Sequence, residues 1–107
     1  IQAFIPELKG IKIGMEKRRD LFAIFKEAIH NIVRHSGAKQ VVIKVSPGKR
    51  MFILEINDDG KGFAKEELAF HNGLKYMQQR AERNNWKLHI ISKRWEGTRL
   101  ILEIKIT

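Results

Sequence analysis

The end of the chain alternates between two kinds of residue with a period of two. From Thr98 to Ile106, one set of positions contains the apolar residues Leu100, Leu102, Ile104 and Ile106. The intervening set contains the charged residues Arg99, Glu103 and Lys105. This period is typical of a β-strand with one face buried and one face in water. The chain is therefore expected to contain a sheet whose apolar face is covered by another layer.

Further strands and two helices are predicted upstream of this strand. The predicted strands are Ile1–Ile5, Gln40–Ser46, Met51–Asn57 and Trp86–Ser92, with turns at Pro47–Arg50 and Lys93–Gly97. The predicted helices run from near Glu16 to about Ser36, with Gly37 as a stop, and from Gly73 to about Asn85. Together these elements predict an α+β fold: a two-layer α/β sandwich with a mixed, mostly antiparallel sheet and the helices on one face.

The first predicted helix carries a polar stripe of chemically varied side chains. Glu27, Asn31, Arg34 and His35 follow one another at helical spacing, and an apolar stripe lies on another face. Carboxylate, carboxamide, guanidinium and imidazole groups are the ones that handle a metal ion and phosphates. Taken alone, such a stripe is more often an ordinary exposed helix face.

Three glycine-containing segments are candidates for ligand contact. Asp58, Gly60 and Gly62 follow a buried strand, where glycines permit a close approach and an aspartate can accept a hydrogen bond from an amine. Gly73 opens a helix, whose free N–H groups suit phosphate, and Thr98 brings a hydroxyl to the start of the last strand. Taken alone, a turn is the better explanation of the Asp58 loop and a helix start the better explanation of Gly73, while a turn explains Thr98 equally well.

Size and composition exclude several classes of function. The 107 residues suit one domain, no segment is long and apolar enough to span a membrane, and the absence of cysteine excludes disulfides and thiolate metal sites. The histidine spacing does not fit a zinc site. The net charge of +9 raises nucleic acid as a partner, but no aromatic residue interleaves with the densest run, Lys17–Arg19. The chain begins at Ile1 without a methionine, so we expect a fragment of a longer protein.

Four motifs occur in a fixed order along the chain. They are Glu27-x-x-x-Asn31, Asp58-x-Gly60-x-Gly62, Gly73-Leu74-x-x-Met77-x-x-Arg80-Ala81 and Gly97-Thr98. This succession resembles the ATP-binding catalytic domain of bacterial sensor histidine kinases, within the GHKL superfamily with its Bergerat-type fold. The resemblance is nearest to the kinases of the nitrate-sensor and lipid-fluidity-sensor type, whose lid is short, here Ala64–Asn72.

The resemblance implies a role for each motif residue. Asn31 is the expected ligand of Mg²⁺, and Glu27 is either a partner of the metal's water or a proton acceptor. Arg34 is expected to meet phosphate, and His35 to pack on the adenine or ribose. Asp58 is the expected acceptor of the adenine 6-amino group. Gly60 and Gly62 are expected beside the base, Gly73 and Leu74 beside the phosphates, and Thr98 on the far side of the adenine pocket.

The resemblance also implies partners. No histidine in this chain is followed by an acid, the pattern of the phosphoacceptor in these kinases, so the accepting histidine is expected on a separate dimerisation domain of the same protein. A response regulator is the expected downstream partner, with no direct contact to nucleic acid or membrane. The isolated domain is expected to be monomeric and the full-length protein a homodimer, with this part in the cytoplasm. The alternatives are another GHKL ATPase, such as an anti-sigma-factor serine kinase or a gyrase B-like or MutL-like module, and a basic nucleic-acid-binding domain.

Overall fold

The computed structural model describes residues 2–4, 13–62 and 72–106 of the chain. Its strands are β1 (Gln2–Phe4), β2 (Val41–Gly48), β3 (Met51–Asp58), β4 (Lys87–Lys93) and β5 (Gly97–Lys105). Its helices are α1 (Met15–Asn31), a π-helical turn (Ile32–Ser36) and α2 (Asn72–Arg83). Each predicted strand and helix is present, with bounds shifted by a few residues. Among the described residues, no helix has the length and apolar character needed to cross a membrane.

The five strands form one sheet in the order β1-β2-β3-β5-β4. β1 runs parallel to β2, and every other neighbouring pair is antiparallel, so the predicted mixed and mostly antiparallel sheet is confirmed. The register places Asp58, the last residue of β3, between Val41 of β2 and Thr98 of β5. Three strands therefore meet at the end of the sheet where the glycine loop begins.

One face of the sheet is buried against both helices. The buried sheet residues alternate along β3 and β5, as in Phe52, Leu54 and Ile56, and they share a core with Ile24 of α1 and Met77 of α2. The predicted α+β sandwich with helices on one face is confirmed. The two middle strands are apolar at nearly every position, which predicts burial of much of both faces. On the face away from the helices, however, the residues of β2 and β3 are half-buried or exposed.

The first helix changes its winding at the end that approaches the glycine loop. It is α-helical only to Asn31, and Ile32–Ser36 forms a π-helical turn that ends at Gly37, whose φ of +61° is left-handed. The predicted stop is correct, but the prediction of a regular α-helix to Ser36 is wrong. A π-helical turn has a wider hydrogen-bonded ring, so Arg34 does not continue the helical stripe at an α-helical angle.

A buried carboxylate ties the two helices together at the other end of the domain. Asp20 of α1 accepts hydrogen bonds from the Arg83 guanidinium and from Asn84 Nδ2 at 2.7 Å, both at the end of α2. Burial alone would raise the pKa of the Asp20 carboxyl, but the hydrogen bonds from Arg83 and Asn84 and the charge of Arg83 outweigh it and lower the pKa. The ionised carboxylate therefore stabilises the α1–α2 contact.

Replacing Asp20 with Ala is expected to lower the free energy of unfolding by about 1–2 kcal/mol, because its hydrogen bonds are lost while the mostly exposed Arg83 regains water. The Glu82→Ala variant removes an exposed acid from α2 and should change stability by less than about 0.5 kcal/mol. Urea unfolding at neutral pH measures both variants.

Comparison of the wild type with Asp20→Ala also gives a pH test. Because the pKa of Asp20 is lowered in the folded state, its contribution is present above the ordinary aspartate range and is lost as pH falls through that lowered pKa. The stabilities of the wild type and Asp20→Ala should therefore converge in acid. A gap that stays constant from neutral to acid pH would contradict the assignment.

Candidate functional site

A cleft opens at the end of the sheet where β3 ends and β5 begins. It lies between the C-terminal part of α1, the start of α2 and these strand ends, and it encloses about 410 Å³ counting its open mouth. The lining residues are Ala28, Asn31, Ile32, Ile56, Asp58, Leu74, Met77, Ile90, Thr98 and Leu100. The lining is thus mostly apolar, and its polar residues are Asn31, Asp58 and Thr98.

Asp58 is a half-buried acid in this cleft. Its Oδ1 accepts the backbone N–H of Gly60 at 2.8 Å, which leaves acceptor capacity on the carboxylate for a ligand. Burial raises the pKa of the Asp58 carboxyl, and the neighbouring charge of Asp59 adds to the rise, while the backbone N–H groups of Gly60 and Thr98 offset part of it. A raised pKa means that the folded protein holds this carboxylate in an environment that disfavours its charge.

The neighbouring Asp59 has a structural role instead. Its Oδ1 accepts the N–H groups of Lys39 at 2.8 Å and Gln40 at 3.0 Å, which fastens the glycine loop to the segment before β2. These bonds, with that of Gln40 foremost, lower the pKa of the exposed Asp59 carboxyl. Two adjacent aspartates therefore have opposite environments, and only Asp58 faces the cleft.

Two glycines hold the loop after β3 against the turn between β4 and β5. A Cβ on Gly97, whose φ is +85°, would overlap the carbonyl oxygen of Asp58. A Cβ on Gly62, whose φ is +65°, would overlap the carbonyl oxygen of Lys93 and lie 2.8 Å from that of Gly97. The turn is also joined to the loop by a hydrogen bond from Trp95 N–H to the Lys61 carbonyl. Backbone therefore packs directly on backbone, which fixes the position of Asp58.

The structure brings four of the predicted site residues into one cleft: Asn31, Asp58, Leu74 and Thr98. Asn31 is buried, although it is polar. Thr98 lies beside Asp58 in the sheet register.

The other predicted site residues lie around this cleft. Glu27 is half-buried one helical turn before Asn31, and Arg34 is exposed in the π-helical turn. Gly73 is buried in the first turn of α2, and Gly60 and Gly62 shape the loop beside Asp58. The side chain of His35 and residues 64–71 of the predicted lid lie outside the described part of the structure.

The apolar walls of the cleft were not predicted as site residues. They are Ala28, Ile32, Ile56, Met77, Ile90 and Leu100. A signal for two of them was present, because Ile56 precedes Asp58 by two residues and Leu100 follows Thr98 by two. Residues two apart on a strand share a face, so these side chains had to lie beside the polar groups.

The donor set permits only a metal ion with few protein ligands. Within the described residues, no group of three or more His, Cys, Asp or Glu side chains could hold a metal ion. The oxygen donors at the C-terminal end of α1, beside the cleft, are the Asn31 carboxamide and the Glu27 carboxylate, one turn apart. Such a set fits Mg²⁺, which keeps several waters and is commonly held through the phosphates of a ligand.

The family model for histidine kinase-, DNA gyrase B- and HSP90-like ATPases matches residues 16–107. The chain belongs to this ATPase family. Membership confirms the predicted GHKL-type resemblance and implies that the domain binds ATP. The matched range contains the whole cleft.

Curated relatives that match the chain are sensor proteins. Sensor protein VraS of Staphylococcus aureus is 35% identical over 97 residues, which is 90% of this chain and 28% of the relative. VraS of Staphylococcus epidermidis is 33% identical over the same share of each chain. The chain therefore spans less than a third of the length of these relatives.

Solved structures of histidine kinases share the fold. The histidine kinase domain of the blue-light activated kinase EL346 from Erythrobacter litoralis aligns with a TM-score of 0.81 at 14% identity, covering 98% of this chain and 53% of that one. The ATP binding domain of PrrB from Mycobacterium tuberculosis aligns with a TM-score of 0.74 at 23% identity, covering 100% of this chain and 81% of that one.

The contact between loop and turn gives a graded stability test. Gly97→Ala should lower the free energy of unfolding by about 2–5 kcal/mol, because strain at positive φ adds to a clash with backbone. Gly37→Ala, at a positive φ where the new Cβ meets only the Lys61 side chain at 3.8 Å, should lose about 1 kcal/mol. Gly14→Ala has no atom within 4 Å of its new Cβ and should lose at most about 1 kcal/mol, from a weaker N-cap of α1. Denaturant unfolding compares the three, and equal losses for Gly14 and Gly97 would contradict the packing described.

Proposed function

We propose that this chain is the ATP-binding catalytic domain of a sensor histidine kinase, and that it presents the γ-phosphate of Mg-ATP to a histidine elsewhere in the protein. The observation that carries the proposal is the half-buried Asp58 carboxylate, held by Gly60 N–H in the same cleft as Thr98 and Asn31. Membership of the ATPase family and the likeness to sensor proteins support it.

The adenine half of the site follows from the acceptor and its apolar surroundings. The Asp58 carboxylate has acceptor capacity beyond its backbone partners and accepts a hydrogen bond from the 6-amino group of adenine, a charge-assisted bond. Ile56 and Leu100 offer an apolar surface to the purine ring, and Thr98 offers a hydroxyl beside the carboxylate. Gly60 and Gly62 have no side chains, so the loop backbone can approach the base closely at these two positions.

The phosphate half lies toward α1 and α2. Asn31, with Glu27 one turn earlier, holds the magnesium ion or its waters through oxygen atoms, and the ion supplies neutralisation of the phosphate charge. Gly73 and Leu74 lie at the N-terminal end of α2, whose free N–H groups favour phosphate. Arg34 supplies a positive charge at the phosphates, and His35 packs on the adenine or ribose. Glu27 serves as proton acceptor for the attacking imidazole or as a partner of the ion's water.

The accepting histidine belongs to another part of a longer protein. The four histidines here are followed by Asn31, Ser36, Asn72 and Ile90, and none by an acid. The relatives are more than three times as long as this chain, since it spans 28% of them. In this proposal a dimerisation domain carries the histidine and makes the full protein a homodimer, a response regulator receives the phosphoryl group, and this single domain lies in the cytoplasm.

Asp58→Asn is the sharpest test of the adenine site. In this variant the carboxamide oxygen can still accept the Gly60 N–H. The second carboxylate oxygen, however, is replaced by an NH₂ group, a donor that would face the donor 6-amino group of adenine. We expect ATP affinity to fall by at least about tenfold, from one lost charge-assisted hydrogen bond and one introduced clash of donors. Isothermal titration with Mg-ATP measures the loss, and unchanged affinity would overturn the adenine assignment.

Stability and pH provide the control for that variant. The raised pKa of Asp58 means that its ionisation destabilises the folded state as pH rises through that pKa, so Asp58→Asn should be at least as stable as the wild type at neutral pH without nucleotide. ATP affinity of the wild type should fall as pH falls through the pKa of Asp58, above the ordinary aspartate range. In Asp58→Asn, the pH dependence of ATP affinity should keep the part that comes from titration of the ATP phosphates and lose the part that comes from Asp58.

Phosphotransfer tests the kinase assignment directly. The full-length protein is incubated with Mg-ATP labelled at the γ-phosphate, and the product is treated with acid and with alkali. A phosphohistidine is labile in acid and stable in alkali, whereas a phosphoserine behaves in the opposite way. We expect the acid-labile product and its loss in Asn31→Ala, while a product stable in acid would support the serine-kinase alternative.

A further inference from the structure

One side of α1 points away from the sheet and carries exposed apolar side chains among cations. The helix turns Ile24 and Ala28 toward the core. Its opposite side, which we call the α1 ridge, consists of residues at helical spacing: Met15, Arg18, Arg19, Phe22 and Lys26. Met15 is 72% exposed, Phe22 is 66% exposed, and the three cations are exposed as well. The ridge therefore extends an apolar and basic line over about 16 Å of helix.

The ridge contains no negative charge. The acids of α1 follow one another at spacings of four and seven, and so share a stripe on another side of the helix: Glu16, Asp20 and Glu27. In the described part of the chain, no ion pair between side chains involves a ridge cation. The ridge is thus a surface of one sign of charge, and it fits a negatively charged partner.

The other helix of the same layer does not share this character. The side of α2 directly opposite the buried Met77 carries Lys75, Gln79 and Glu82, all of which are exposed. These side chains are polar and include both signs of charge. An apolar line among cations is therefore a feature of α1 and not of the helix layer as a whole.

We propose that the α1 ridge is a docking surface for an anionic phospholipid bilayer. Met15 and Phe22 enter the boundary between headgroups and acyl chains, while Arg18, Arg19 and Lys26 contact lipid phosphates beside them. The ridge lies on the outer side of the helix layer, away from the cleft at the strand ends, so lipid and nucleotide do not compete. This contact departs from the expectation, implied by the family resemblance, that the domain does not touch a membrane.

The side chains of the ridge favour lipid over a protein or a nucleic acid. They include no Ser, Thr, Asn or Gln, whereas a protein interface carries about one directed hydrogen bond per 100–200 Å². A nucleic acid would attract the cations but would leave Met15 without a use and offer a single ring, Phe22, for stacking. The headgroup boundary of an anionic bilayer uses both kinds of side chain, since it accepts apolar groups and attracts basic ones.

Vesicle binding tests the proposal. The chain, which buries its own core, is sedimented with vesicles of phosphatidylcholine alone or of phosphatidylcholine and phosphatidylglycerol in equal parts. We expect binding to the anionic vesicles only, and weaker binding at high salt. Phe22→Gln should lower the partition coefficient at least about fivefold, because apolar insertion is lost. Lys26→Glu should lower it at least about tenfold, because an anion replaces a cation near the lipid.

Matched variants place the same kinds of change on the opposite side of the domain. Lys87→Glu alters the net charge by the same amount as Lys26→Glu, and Ile91→Gln removes an apolar side chain that is 54% exposed. Both residues belong to β4 and face away from the helices. At physiological salt their charges are screened from a bilayer on α1, so each variant should bind within about twofold of the wild type. Thermal unfolding verifies that all four variants are folded.

The outcomes either support or overturn the lipid contact. Equal losses in Lys26→Glu and Lys87→Glu would show attraction by net charge alone, and unchanged binding in Phe22→Gln would show that nothing is inserted; either result overturns the proposal. Failure to bind anionic vesicles overturns it too. Duplex DNA or the dimerisation domain, if bound in a manner that Phe22→Gln abolishes, would then be the occupant of the ridge. None of these results bears on the ATP site, which Asp58→Asn tests separately.

Discussion

Backbone contact between the loop after β3 and the turn before β5 fixes the site. Gly97 lies against the carbonyl of Asp58, and Gly62 lies against the carbonyls of Lys93 and Gly97. No side chain larger than hydrogen fits at either glycine without moving backbone. The acceptor in the cleft and the hydroxyl of Thr98 beside it are therefore positioned by the same contact.

Two carboxylates show how the domain divides stability from ligand binding. Asp20, at the end of the domain away from the cleft, is buried and satisfied by Arg83 and Asn84, so its pKa is lowered. Asp58 is half-buried, and its pKa is raised because the bonds from Gly60 and Thr98 do not compensate for burial. A half-buried acid whose hydrogen bonds do not offset its burial is typical of a binding site.

The sequence predicted most of the fold because its strands follow a clear period and its turns contain glycine and proline. The order of the motifs also predicted that Asn31, Asp58, Leu74 and Thr98 belong to one site. Other features depend on contacts between residues far apart in sequence. Two examples are the close packing of Gly62 against the β4–β5 turn and the ion pair of Asp20 with Arg83. No local pattern in the sequence marks either contact. The π-helical winding after Asn31 also differs from the predicted helix, and no local pattern in the sequence marks it.

The two tryptophans of the chain lie in contrasting surroundings. Trp86 is 3% exposed in the core, whereas Trp95 is 75% exposed at a φ of +70° in the turn that is hydrogen-bonded to the glycine loop. Indole emission shifts to longer wavelength in water, so the two residues emit at separable wavelengths. The protein therefore contains its own pair of optical reporters, with Trp86 sensing loss of the core and Trp95 sensing movement of the turn that is bonded to the glycine loop.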